Sequence, residues 1–121
     1  MKLPGHDHPI TITRNGKRVR VSFAGQVIAD STRALTLQEA GYRPVHYIPR
    51  ADADMNLLKS TSHATHCPYK GDASYFSIFA NGRSADNAVW SYEQPFPAMA
   101  EIAGYLAFYA NRVDAIEECP A

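Results

Sequence analysis

The chain has 121 residues, 45% hydrophobic and 20% charged, which is ordinary globular usage and room for one domain with one core. Twelve basic side chains balance twelve acidic ones, and a formal charge of zero speaks against a nonspecific nucleic-acid binder, which needs a basic excess. No run of roughly 18 apolar residues exists to span a membrane, and two cysteines, Cys67 and Cys119, are too few for a four-cysteine zinc site and read as free thiols.

The first eight residues lack the apolar centre of a signal peptide, so the expected compartment is the cytoplasm. Residues 1–9 read as a loose polar arm. His6 and His8 flank Asp7, but Gly5 and Pro9 beside them suit a tail better than a fixed metal clamp.

Ile10-Thr11-Ile12-Thr13 alternates apolar and polar as a strand does, and Asn15-Gly16 then predicts a type I′ hairpin turn. The return strand carries Val19, Val21 and Phe23 on one face and Arg18, Arg20 and Ser22 on the other. Gly25 interrupts it, Val27-Ile28-Ala29 resumes, and Asp30-Ser31-Thr32 is a turn. Leu35 and Leu37 mark a further strand. Val45-His46-Tyr47-Ile48, between Pro44 and Pro49, predicts a short one at an edge or bulge. Asp52 is placed to cap a short helix over residues 53–58.

Residues 60–66 read as a strand that enters the turn Cys67-Pro68-Tyr69-Lys70-Gly71. The strongly β stretch Ser74–Phe79 leaves that turn, Asn81-Gly82 is a second hairpin signal, and residues 87–92 are its partner strand. Pro95 and Pro97 introduce a second short helix over about 98–103, closed by Gly104. Residues 105–109 fit both periods, and the four bulky residues after Gly104 favour strand. Residues 112–121 read as a tail packed through Val113 and Ile116. The expectation is a single mainly β domain over 10–116, with residues 117–121 trailing: an antiparallel barrel or sandwich of seven or eight short strands with two short helices.

Reactive side chains concentrate between residues 60 and 72. Cys67 and Lys70 share a tight turn, and an ammonium beside a thiol favours thiolate, so both are candidate catalytic residues, with His66 a neighbouring base. The plainer alternative makes Cys67 a small packed residue and the turn a Pro/Gly structure. His63 and His66 fall on opposite faces of a strand, which suits joint metal ligation poorly, and no metal or cofactor is assigned. Asp52-Ala53-Asp54 has the shape of a metal-holding pair, but at a helix start capping explains it better. Arg18, Arg20, Arg43 and Arg50 would make an anion pocket if they converged, and an ordinary solvated face if they did not. Trp90 and Tyr92 share one strand face and could line such a pocket.

Five ordered phrases carry a family resemblance. They are Ile28-Ala29-Asp30-Ser31 with Arg33-Ala34-Leu35, Pro44–Arg50, Thr65–Tyr75, Ala88–Glu93 and Ile102–Tyr109. In this order and spacing, over about residues 19–116, the chain resembles the bacterial and fungal family named domain of unknown function 427. That family is sometimes labelled nucleotidyltransferase-like, without an established reaction, and the sequence lacks a Gly-Ser element to cradle phosphates. The resemblance implies a compact, mainly β fold and draws attention to Arg50, Thr65, Cys67, Lys70, Gly71, Trp90 and Tyr92. It does not require histidine at position 66, which weighs against a Cys67–His66 pair. The expected function is binding of a small anionic or polar ligand near the 65–71 turn, through Arg50, Thr65, Tyr69, Lys70, Trp90 and Tyr92. The alternatives are an enzyme using Cys67 or Lys70, and a structural domain that forms a homodimer through an exposed β edge.

Overall fold

Ten strands and three short 3₁₀ segments make up the computed structural model, which describes residues 1–121. The strands are β1 (Ile10–Arg14), β2 (Arg18–Phe23), β3 (Gln26–Ser31), β4 (Leu35–Glu39), β5 (Val45–Tyr47), β6 (Leu58–Cys67), β7 (Gly71–Ala80), β8 (Arg83–Ser91), β9 (Ala107–Phe108) and β10 (Ala115–Cys119). They form three antiparallel sheets, ordered β1-β4-β5, β10-β2-β3 and β6-β7-β8-β9. The mainly β, antiparallel expectation holds, but the strands number ten rather than seven or eight and no sheet closes into a barrel. Alternating burial identifies a strand; it carries no information about whether the outer strands of a sheet meet. No helix is long and apolar enough to cross a membrane.

The two Asn-Gly signals have different outcomes. Asn81-Gly82 joins β7 to β8 with both residues at positive φ, +49° and +76°, as a type I′ turn requires. At Asn15-Gly16 only the glycine is left-handed, and β1 pairs with β4 while β2 pairs with β3 and β10. Asn15 works through its side chain instead. Its Oδ1 accepts from the Lys17 amide and its Nδ2 donates to Thr36 Oγ1, an Asx turn that passes the chain between sheets. The reason lies in the cores. Ile10 and Ile12 of β1 pack in one hydrophobic cluster, whereas Val19, Val21 and Phe23 of β2 belong to another, so the two strands cannot share a sheet face. The hairpin that does form, β2–β3, turns at Ala24-Gly25, both left-handed at +54° and +74°.

Those two cores organise the molecule. The larger joins Val19, Val21, Phe23 and Ile28 to Phe76, Ile78, Val89, Leu106 and Phe108. The smaller joins Leu37 and Tyr47 to Ala73, Tyr75, Tyr92, Met99 and Ile102. The β6–β9 sheet serves both, because neighbouring residues face opposite ways: Tyr75 enters the smaller core and Phe76 the larger. Bulges accommodate this. The β7–β8 register shifts between Phe76 and Ile78, and Asn87, at φ +49°, donates its amide to Ser77 Oγ.

Both expected helices shrink to 3₁₀ pieces, Met55–Leu57 and Pro97–Ile102, with a third at Arg50–Asp52. Asp54 rather than Asp52 caps the residue-55 turn, accepting from the Asn56 amide. Asp52 is taken by Arg33 and Ser31. The stretch after Gly104 contributes only a two-residue strand, and Val113 is buried as expected. Ala115–Cys119 is a strand, held by five paired positions on β2.

Candidate functional site

A cavity of about 390 Å³ opens where the smaller core reaches the surface. Strand alternation delivers its walls. Leu37 and Glu39 come from one face of β4, Val45 and Tyr47 from β5, Thr65 and Cys67 from β6, Tyr75 from β7, and Trp90 and Tyr92 from β8 and the residue beyond it. Tyr42, Arg43, His66, Lys70 and Tyr109 complete the lining. Of the residues singled out in the sequence, Arg43, Thr65, His66, Cys67, Lys70, Trp90 and Tyr92 therefore meet in one place.

The Cys67–Gly71 turn sets the polar end. Cys67 and Gly71 are register partners, and Pro68, Tyr69 and Lys70 form the loop between them. Gly71 adopts φ +113°, and a side chain there would stand 3.5 Å from the Phe96 amide nitrogen, whose N–H donates to the Lys70 carbonyl at 2.9 Å. Glycine lets the turn dock against the 94–96 segment, which drives Lys70 inward. Its side chain is only 9% exposed. The ammonium donates to Glu39 Oε1 at 2.5 Å and to Cys67 Sγ at 3.6 Å, and His8 Nε2 lies 2.9 Å from Glu39 Oε2. Burial pushes the Glu39 carboxyl up, but hydrogen bonds and charge from Lys70 and His8 outweigh it and hold the group below the usual carboxylate range.

The N-terminal segment adds to this end. His8 stacks on Tyr69 with ring centroids 4.1 Å apart, and the Lys2 amide donates to the Pro68 carbonyl. Tyr69 thus packs on His8 and lies outside the cavity lining.

The remaining wall is aromatic and rich in hydroxyls. Trp90 Nε1 donates to the Tyr47 hydroxyl at 3.3 Å, and the Trp90 and Tyr109 rings lie 4.5 Å apart. The Tyr75 hydroxyl links Thr65 Oγ1 at 2.9 Å to the Tyr109 hydroxyl at 3.1 Å. Burial raises Tyr47 and Tyr92 far above an ordinary phenol and Tyr109 to about 12, so all three stay neutral donors at physiological pH. Trp90 and Tyr75 make hydrogen bonds within the wall; Tyr92, a buried residue that also lines the cavity, makes no side-chain hydrogen bond within the protein.

The arginines do not converge. Arg18 and Arg20 pair with Asp30 on the β2–β3 sheet. Arg50 donates to the Gly104 carbonyl at 2.8 Å, to Ser91 Oγ and to Glu93, and its guanidinium lies over the Phe76 ring. Arg43 alone of the four lines the cavity, and it enters no ion pair. His66 Nδ1 is held 2.7 Å from Asp72, and His63 packs edge-on against Tyr75. No three His, Cys, Asp or Glu side chains stand together as a metal site. Asp52 and Asp54 lie outside the cavity and serve Arg33 and a backbone amide.

Glu39, His8, Tyr47, Tyr75 and Tyr109 are absent from the sequence-based site, which held only Tyr92 of the tyrosine wall. A lysine aimed into a core demands a carboxylate partner, but local sequence gives no means of choosing among twelve acids.

The profile of the family described as Domain of unknown function (DUF427) matches residues 11–119, and the chain belongs to that family. No curated protein matches the sequence.

Proposed function

We propose that this member of the DUF427 family is a ligand-binding domain whose Tyr/Trp-lined cavity takes a small anionic or polar molecule with a planar part. The reading rests on one observation: seven residues singled out from sequence line one cavity, among them Arg43, an exposed cation lacking a protein counterion. Trp90 and the tyrosine rings supply flat apolar walls. Arg43 supplies charge, and the unengaged Tyr92 hydroxyl supplies a donor. Lys70 contributes through its buried pair with Glu39, which leaves the polar end close to neutral. A few oriented polar groups on an apolar wall are the usual make-up of a small-molecule site.

Thermal unfolding across a panel of small aromatic and aliphatic carboxylates and phosphate esters tests this. A ligand at about one hundred times its Kd stabilises by about 2.7 kcal/mol, roughly a 10 °C rise in Tm for a chain of this size. Arg43→Gln should remove most of that rise. A panel that moves neither Tm nor Trp90 fluorescence would refute the proposal.

One observation favours a second reading, an enzyme with a thiol nucleophile: the 3.6 Å contact between Lys70 Nζ and Cys67 Sγ at the cavity wall. A cation beside a thiol is an arrangement found at thiol nucleophiles. Cys119 is equally half-buried and serves as an internal reference. Iodoacetamide should then label Cys67 at least tenfold faster than Cys119 at pH 7, and equal rates would dispose of thiol chemistry.

A further inference from the structure

The tyrosine-lined cavity has a neighbour. A second cavity of about 290 Å³ shares Arg43, Val45, Trp90 and Tyr109 with it, so the two adjoin. Its floor is apolar: Val21, Ile48 and Phe108, all buried members of the larger core, with Ile116 beside them. The polar groups that reach it are mostly engaged. His46 holds Thr36 Oγ1 at its Nδ1 and Glu118 at its Nε2, and the Tyr109 hydroxyl bonds Tyr75. Arg43 is the exception: an exposed side chain in no ion pair, it lines both cavities.

We propose that the ligand is an amphipathic monoanion with three parts, an inference that rests on the binding role given above. A planar group occupies the tyrosine-lined cavity, one acidic group pairs with Arg43, and an aliphatic branch enters the second cavity. The division follows from the chemistry of the two linings. Phenol hydroxyls, a thiol and the Lys70–Glu39 pair accept a polarisable ring bearing polar substituents, whereas Val21, Ile48, Phe108 and Ile116 offer nothing but apolar contact. A guanidinium at the junction fixes the acid at the branch point, since its fork matches a carboxylate or phosphate. Together the cavities reach the middle of the ~300–1,000 Å³ range of small-molecule sites, whereas the first alone lies near its lower end.

An N-acyl-phenylalanine series, acetyl through butanoyl and hexanoyl to octanoyl, carries these three parts on one centre. Trp90 is the sole tryptophan and sits in the shared wall, so its fluorescence reads binding directly. The expected result is a Kd that falls about fourfold for each methylene entering the apolar cavity, then levels off once it is full. Arg43→Gln should weaken every member tenfold or more. Ala110→Phe, which narrows the second cavity from its exposed rim, should flatten the chain-length series. Equal affinity for the acetyl and octanoyl compounds would overturn the three-part ligand and leave the binding role standing. Failure of the whole series, with stabilisation by some other compound of the panel, would do the same. Failure of both the series and the panel would overturn the two proposals together.

Discussion

Replacing Glu39 by Gln leaves the Lys70 ammonium buried without a counter-charge, with only a neutral amide oxygen and the Cys67 sulfur as partners. Both side chains of the pair are largely removed from water, Lys70 at 9% and Glu39 at 18% exposure. Breaking a buried pair by removing one member costs about 3–5 kcal/mol. Glu39 keeps some contact with solvent and Cys67 remains in place, so a loss of about 2–3 kcal/mol is expected for Glu39→Gln at pH 7. For a chain of this length that is a fall of roughly 8–12 °C in Tm. Adding Lys70→Met removes the stranded charge, and the double variant should recover at least half of the loss, because an apolar replacement of a buried pair is often neutral. The pH dependence has a defined sign. Glu39 is held below the ordinary carboxylate range, so its contribution is present above the unfolded-state pKa and fades as pH falls through the lower folded value. The gap in Tm between wild type and Glu39→Gln should therefore be full at pH 7 and shrink on acidification below about pH 4. Differential scanning calorimetry of the four proteins of the cycle, at pH 7 and pH 3.5, measures all of this. A single-variant loss below about 0.5 kcal/mol, typical of exposed pairs, or a pH-independent gap would refute the desolvated pair.

Three other positions test the scaffold. Arg50→Lys should destabilise by about 2 kcal/mol, since a lysine cannot reproduce the bonds to Gly104, Ser91 and Glu93 together with the contact over Phe76. Any ligand found for the cavity should keep its Kd within twofold in that variant, as titration of Trp90 fluorescence would reveal. Gly25→Ala should lose about 1 kcal/mol in urea denaturation, because alanine is strained at φ +74° although nothing crowds the position. Gly41→Ala, equally open and without a left-handed φ, should be neutral or slightly stabilising.

The chemistry of single turns was open to sequence reasoning in proportion to how local it is. Asn81-Gly82 reads correctly because a two-residue turn between adjacent strands is decided by its own φ preferences. The same dipeptide at 15–16 misleads, since the cores that receive Ile12 and Val19 are assembled from strands far along the chain. The hairpin at Ala24-Gly25 is hidden for the converse reason: a β2–β3 register from Phe23 to Gln26 forces alanine into a conformation its type disfavours. Thr65, Cys67, Trp90 and Tyr92 fall together because residues i and i+2 share a strand face, and β6, β7 and β8 are joined by short hairpins. Arg50 was grouped with them by its charge, but its partners lie 41 to 54 positions away and hold it to the scaffold.

Sequence alone determined that this is a mainly β chain of the DUF427 family, and it drew attention to the Cys67–Gly71 turn and to Trp90 and Tyr92. Those properties follow from period-two alternation and turn residues, each local, and from phrases ordered along the chain. Tertiary structure decided the rest: ten strands in three sheets, two cores on opposite faces of one of them, and the inward path of Lys70 to Glu39. It also left Arg43 without a counterion between two cavities. Strand pairing across long separations and the burial of a charge depend on which distant side chains arrive, and no local preference encodes that arrival.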